Sequence, residues 1–128
     1  MAFHLHAFTI VVPDYDPGIA FYCGVLGFDL KSDIDLGDGK RWVLVKPKGT
    51  QTAILLAKAT ATPQTTIIGN QTGGRVGFFL HTDNFTADHA MMLTKGVCFE
   101  EFPRHEPYGS VAVFRDPFGN RWDLLQLS

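Results

Sequence analysis

The sequence predicts an α+β fold of two tandem βαβββ modules, forming a partly open, cup-shaped sheet with helices outside. Three observations carry this expectation: an internal repeat, a short helix ending in Gly in each copy, and strand-length runs separated by turn signals after each helix. Residues 7–28 and 77–97 run in the same order: an apolar strand, Asp or Asn with an aromatic, a helix, Gly, and a new strand. The offset is about 70 residues, and two copies mean a duplicated half-domain rather than a solenoid.

Each element has a local reason. In the first copy Asp16 suits a helix cap and Pro17 the first turn, where no N–H is needed. Ile19, Tyr22, Cys23 and Leu26 then make one apolar stripe, and Gly27 supplies the left-handed stop. In the second copy Thr86 is the expected cap, residues 87–95 the helix and Gly96 the stop. Strands are expected at 28–33, 41–46 and 52–57, and again at 97–102, 109–115 and 121–127. Gly37-Asp38-Gly39 and Asp116-Pro117-Phe118-Gly119-Asn120 are the turns between them. Thr, Gln, Asn and Gly dominate residues 59–74, which read as a linker between a module at about 1–58 and one at about 75–128 of a single domain.

Composition narrows the functional classes. With 128 residues, 45% hydrophobic and 19% charged, the chain is long and apolar enough for a packed core. A net charge of -2 offers no basic face for nucleic acid or an anionic membrane, and no apolar run spans a bilayer. The first residues carry no signal-peptide pattern, and Cys23 and Cys98 read as reduced core thiols, so a cytoplasmic protein is expected.

Three stretches carry a family resemblance: Val12-Pro13-Asp14-Tyr15-Asp16 followed by Ala20-Phe21-Tyr22 and Leu26-Gly27-Phe28, then Tyr108-Gly109, then Asp116 through Asp123. In this order they resemble the vicinal oxygen chelate superfamily, which includes glyoxalase I, bleomycin-resistance proteins and extradiol dioxygenases. The resemblance implies a divalent metal in the cup, one side-chain ligand coming from each of two strands per module. Such a metal, Fe, Ni, Zn or Mn, would polarise two neighbouring substrate oxygens.

The positions that the resemblance implies are mostly without donors. The first falls on Ala7, with His6 beside it on the opposite strand face, reaching the cup only through a bulge or register shift. The last falls on Asp123, a carboxylate in an apolar strand that is either an ordinary partner of an Arg or backbone N–H, or functional. The internal repeat puts the other two on Ala53 or Ile54 and on Val76 or Gly77. A catalytic metal normally takes three protein ligands, so no residue is assigned as a ligand and the cofactor is left open.

Other residues offer chemistry. His81 shares the strand parity of Gly77 and Phe79 and suits a metal ligand or a base. One of Arg41 and Trp42 must face the cup, Arg suiting a carboxylate or phosphate and Trp a flat or cationic group. Tyr108 opens the strand that borders substrate in the family. Two functions are expected in turn. One is a glyoxalase-like enzyme with Asp123, His81 and His6 as catalytic candidates and Arg41, Trp42 and Tyr108 binding a small oxygenated substrate. The other is a metal-free protein that sequesters a small molecule, as bleomycin-resistance proteins do. A homodimer is expected in either case.

Overall fold

The structure, a computed structural model, describes residues 1–128. It divides into two compact units, Met1–Ile68 and Gly69–Ser128, the boundary falling inside the expected linker. That linker also holds a short 3-10 turn at Thr65–Ile67. No helix is long and apolar enough to cross a membrane.

In the first unit, β1 (Ala7–Val12) leads into α1 (Tyr15–Ile19), then β2 (Asp29–Gly37), β3 (Lys40–Lys46) and β4 (Ala53–Lys58). The sheet order is β1-β4-β3-β2, with β1 parallel to β4 and the other pairs antiparallel. Ile10, Val12, Val43, Val45, Ile54 and Leu56 form the buried face under the helix. Gly18 lets the helix lie close, since a Cβ there would sit 2.9 Å from Leu56 Cδ1.

The helix differs from expectation at its start and along its length. Its cap is Asp14, whose Oδ1 accepts from Tyr15 N at 2.8 Å, while Asp16 lies inside the first turn. Pro17 is still tolerated, because first-turn N–H groups have no intrahelical acceptor. Beyond Ile19 the chain runs as a π-helical stretch, Ala20–Val25, in which Leu26 N donates to Phe21 O five residues back. The wider turn rotates the side chains along it, so Phe21 and Tyr22 are buried instead of the evenly spaced stripe. Gly27, at φ 75°, ends it as expected. The β2–β3 loop is the two-residue Asp38-Gly39, both at positive φ, the twist that fits a tight hairpin.

The second unit repeats the connectivity. β5 (Phe78–His81) precedes α2 (Phe85–Thr94), and then come β6 (Cys98–Phe99), β7 (Arg104–Glu106), β8 (Gly109–Arg115) and β9 (Arg121–Leu127). The order β5-β9-β8-β6 matches that of the first unit, with β7 also pairing with β8. The expected strand over 97–102 shortens to β6, β7 lies beyond it, and Pro103, which has no N–H to donate, stands in the gap. α2 is capped by Asn84, whose Oδ1 accepts from Ala87 N at 3.3 Å, and Thr86 sits within the first turn. Gln126 anchors the same end: its Oε1 accepts from Phe85 N and its Nε2 donates to Asp83 O, each at 2.8 Å. Under α2, Phe78, Trp122, Phe114, Phe99 and His89 form a continuous series of ring contacts. Both cysteines are free thiols, but Cys98 is exposed rather than part of the core.

Candidate functional site

Alternation along β9 sorts its side chains. Trp122, Leu124 and Gln126 face α2, so Asp123, Leu125 and Leu127 point to the far face of the second sheet. Asp123 lies on an interior strand, paired across with Phe79 on β5 and Val113 on β8. Ladders on both sides use the backbone groups there, and both cross-strand neighbours are hydrocarbon. Asp123 Oδ1 is consequently buried with no hydrogen-bond partner.

Charged side chains flank this carboxylate without donating to that oxygen. On one side Arg121 grips Glu100 through Nε and Nη2 at 2.8 and 3.0 Å and donates to Gly74 O through Nη1 at 2.8 Å. Arg115 adds a second contact to Glu100 at 3.0 Å. On the other side Arg104 Nε donates to both Glu101 oxygens, at 2.9 and 3.0 Å, and its Nη1 to Glu106 at 3.1 Å. Three arginines thus meet four carboxylates, and Asp123 is the one left over.

The electrostatics result from that placement. Burial pushes the Asp123 carboxyl above its usual range, Arg104 pulls it back, Glu101 pushes it up and Arg121 pulls it down. Glu100 is held low by its bonds to Arg121, and Arg104 is raised chiefly by Glu101. For Asp123 the folded state binds its proton more tightly than the unfolded chain does. Its ionisation therefore costs no stability when both states are protonated, and costs progressively more as pH rises through the two values. Asp123→Asn is expected to gain stability relative to the wild type as pH rises above about 4, in urea unfolding at each pH.

The other sequence-predicted residues fall in different places. His81 shares the far face, one step along β5 from Phe79, and Leu127 N donates to its Nε2 at 3.4 Å. It is exposed, with Asp83 4.0 Å from Nδ1. Tyr108 is in the two-residue loop before β8, half exposed, its phenol close enough to bear on the Arg104 guanidinium. Asp123, His81 and Tyr108 thus belong to one unit. His6 precedes β1 and is exposed, its carbonyl accepting from Ala53 N at 2.9 Å.

Arg41 and Trp42 divide between the faces of the first sheet. Arg41 is on the helix side, bonded to Asp33 through Nε and Nη2 at 3.1 and 2.7 Å and to Asp16 at 2.8 Å, with its guanidinium over the Tyr15 ring. Trp42 takes the far face, opposite Ile34, and is partly exposed. Sequence reasoning missed Arg104, Glu101, Arg121 and Glu100; the pairing of Arg115 with Arg121 across the Asp116 turn was the available signal.

A metal does not fit these residues. Ala7 pairs with Ala53, and Asp123 pairs with Phe79, so these facing positions supply a single oxygen donor group. No three His, Cys, Asp or Glu side chains come together as a metal-holding group.

Comparison with known proteins places this geometry. Residues 4–124 match the family model described as the Glyoxalase/Bleomycin resistance protein/Dioxygenase superfamily. A protein of Shewanella frigidimarina is 48% identical over 122 residues, covering 94% of this chain and 90% of its own. Among solved structures, TnmS3, an antibiotic binding protein from Streptomyces sp. CB03234, is 34% identical with a TM-score of 0.80, covering 99% of this chain and 98% of that one. UcmS2 is 31% identical with a TM-score of 0.84, covering 98% of each chain.

Proposed function

The chain belongs to the Glyoxalase/Bleomycin resistance protein/Dioxygenase superfamily, and from that premise we propose that it binds and sequesters a flat, mostly apolar small molecule without a resident metal. The observation that carries this reading is the donor set. Asp123 has only hydrocarbon across from it on both neighbouring strands, and the surrounding far face offers Phe79, Val113 and Leu125. An apolar surface with a few convergent polar groups is the usual make-up of a ligand site. TnmS3, similar over almost the whole chain, is described as an antibiotic binding protein, which supports the same reading.

Thermal unfolding with polycyclic aromatic antibiotics tests it. A ligand that binds only the folded state raises the melting temperature as its concentration rises above Kd. Phe79, 66% exposed on the far face, is expected to carry part of that affinity, so Phe79→Ala weakens binding about tenfold. Uptake of one tightly held Fe, Ni, Zn or Mn ion per chain, measured by elemental analysis, would overturn the metal-free reading. In the first unit Trp42 and Ile34 form a separate apolar surface and are proposed as an independent aromatic contact. The protein is further proposed to be a homodimer, with light scattering giving twice the 14.2 kDa chain mass.

A second reading is favoured by the raised Asp123 carboxyl. A base whose pKa moves towards neutrality suits proton abstraction from a small oxygenated substrate, with His81 assisting. That enzyme would show turnover, and Asp123→Asn would abolish it without loss of binding.

A further inference from the structure

We propose that His4 and His6 form half of a divalent-metal site that a second copy of this chain completes, four imidazoles from two protomers holding one shared ion. This rests on the homodimer reading above and names what joins the copies.

Two rings are placed to chelate. The segment before β1 is tied to the start of β4, where Thr52 Oγ1 donates to Leu5 O at 2.7 Å and Ala53 N donates to His6 O at 2.9 Å. These bonds hold the backbone on which His4 and His6 stand two residues apart, the spacing that puts side chains on one side of an extended chain. Their ring centroids are 6.3 Å apart with the planes at 70°, and both residues are exposed. Tetrahedral zinc, with Zn–N bonds of about 2.1 Å, sets two ligand rings roughly 5 Å apart. Side-chain rotation at two exposed residues supplies that closure. Imidazole suits the borderline divalent ions, zinc, nickel and copper among them.

A second copy supplies what one chain lacks. Two imidazoles fill half of a four-coordinate shell, and no third His, Cys, Asp or Glu joins them within the chain. A two-fold axis through the ion brings the same pair from another protomer and closes the shell. The surroundings suit that contact. Phe3, Leu5 and Phe8 are exposed beside the two histidines, and burying them against their counterparts is favourable. Residues 2–13 contain no Asp, Glu, Lys or Arg, so no like charges meet where the copies touch. Each chain carries a net charge of -2, and a divalent cation between two copies offsets the repulsion of bringing them together. Zinc here is shared and removable by a chelator, unlike the tightly held ion, one per chain, whose uptake would overturn the metal-free reading.

Untagged protein stripped with EDTA and titrated with zinc at neutral pH tests this. Mass is read by light scattering and binding by calorimetry, on the wild type, His4→Ala, His6→Ala and, as a control, His105→Ala, an exposed histidine of β7. Circular dichroism confirms that each variant is folded. The expected result is about one zinc per two chains, with a dimer dissociation constant at least about tenfold lower in zinc than in EDTA. That gain is lost in His4→Ala and in His6→Ala and kept in His105→Ala. Zinc bound once per chain with no change in mass, no zinc uptake, a gain that survives in both His4→Ala and His6→Ala, or one lost in His105→Ala overturns the shared site. A dimer equally strong in EDTA overturns the metal bridge and leaves the homodimer standing. A monomer under every condition overturns both.

Discussion

Asp116→Ala is expected to destabilise the protein by about 3–5 kcal/mol, the cost of removing one partner from a buried, charge-assisted network. Asp116 is 4% exposed and Asn120 3% exposed, at the turn between β8 and β9. Asp116 Oδ1 accepts from Phe118 N and Asn120 N, each at 2.9 Å, and Oδ2 accepts from Asn120 Nδ2 at 2.7 Å. Alanine leaves these donors facing one another with no acceptor. Asp116→Asn keeps an acceptor at Oδ1 and is expected to cost less than half as much. Urea unfolding checks both, as a fall in midpoint at unchanged slope. The turn also matters to the site, because it sets the β8–β9 register. A slip of one residue would carry Asp123 from the far face to the helix side.

Phe114→Ala is expected to cost about 3–5 kcal/mol for a different reason, an unfilled cavity under α2. Phe114 is fully buried and lies between two other rings: Trp122 at 5.8 Å with nearly parallel planes, and Phe99 at 5.7 Å. Phe78 holds the other side of Trp122 at 5.0 Å. Trp122 directly precedes Asp123, so this stack fixes the strand that presents the carboxylate. Phe114→Leu fills most of the space and is expected to cost about 1–2 kcal/mol, which a parallel unfolding curve would show. A binding measurement on Phe114→Leu then separates loss of fold from loss of site: affinity for an aromatic ligand should change little.

Much of the architecture was legible because it depends on near neighbours. Gly27 and Gly96 end their helices at φ 75° and 84°, and Asp38-Gly39 makes its hairpin, since only a few residue types accept those backbone angles. The helix starts were harder. Asp14 and Asp16, like Asn84 and Thr86, are all competent caps, and the choice is made by what the first turn packs against. Tyr15 and Phe85, each the first residue of its helix, are buried, and that burial favours the earlier start. The π-helical stretch has no marker in composition, because its driving force is the burial of Phe21 beside Tyr22.

The site divides along the same line. Asp123 was readable by alternation, a property of one strand. Its surroundings were not, because Arg121 reaches Glu100 across 21 residues and Arg104 arrives on a separate short strand. Arg41 shows the converse. The residue type suggested ligand binding, but the fold places two aspartates within reach, and it serves as a clasp between α1 and the β2–β3 hairpin.

β2 is one of the two outermost strands of the first sheet and, at nine residues, the longest in the protein. Such an edge presents a row of unused N–H and C=O groups on which another chain can accrete. Here the register shifts between Leu30 and Ser32 and again between Asp35 and Gly37, and Asp29, Lys31, Asp33 and Asp35 place charge along the same stretch. The bulges break the straight template, and the charges oppose a second identical edge. Edge-to-edge pairing of two copies along this strand is therefore disfavoured by its irregularities.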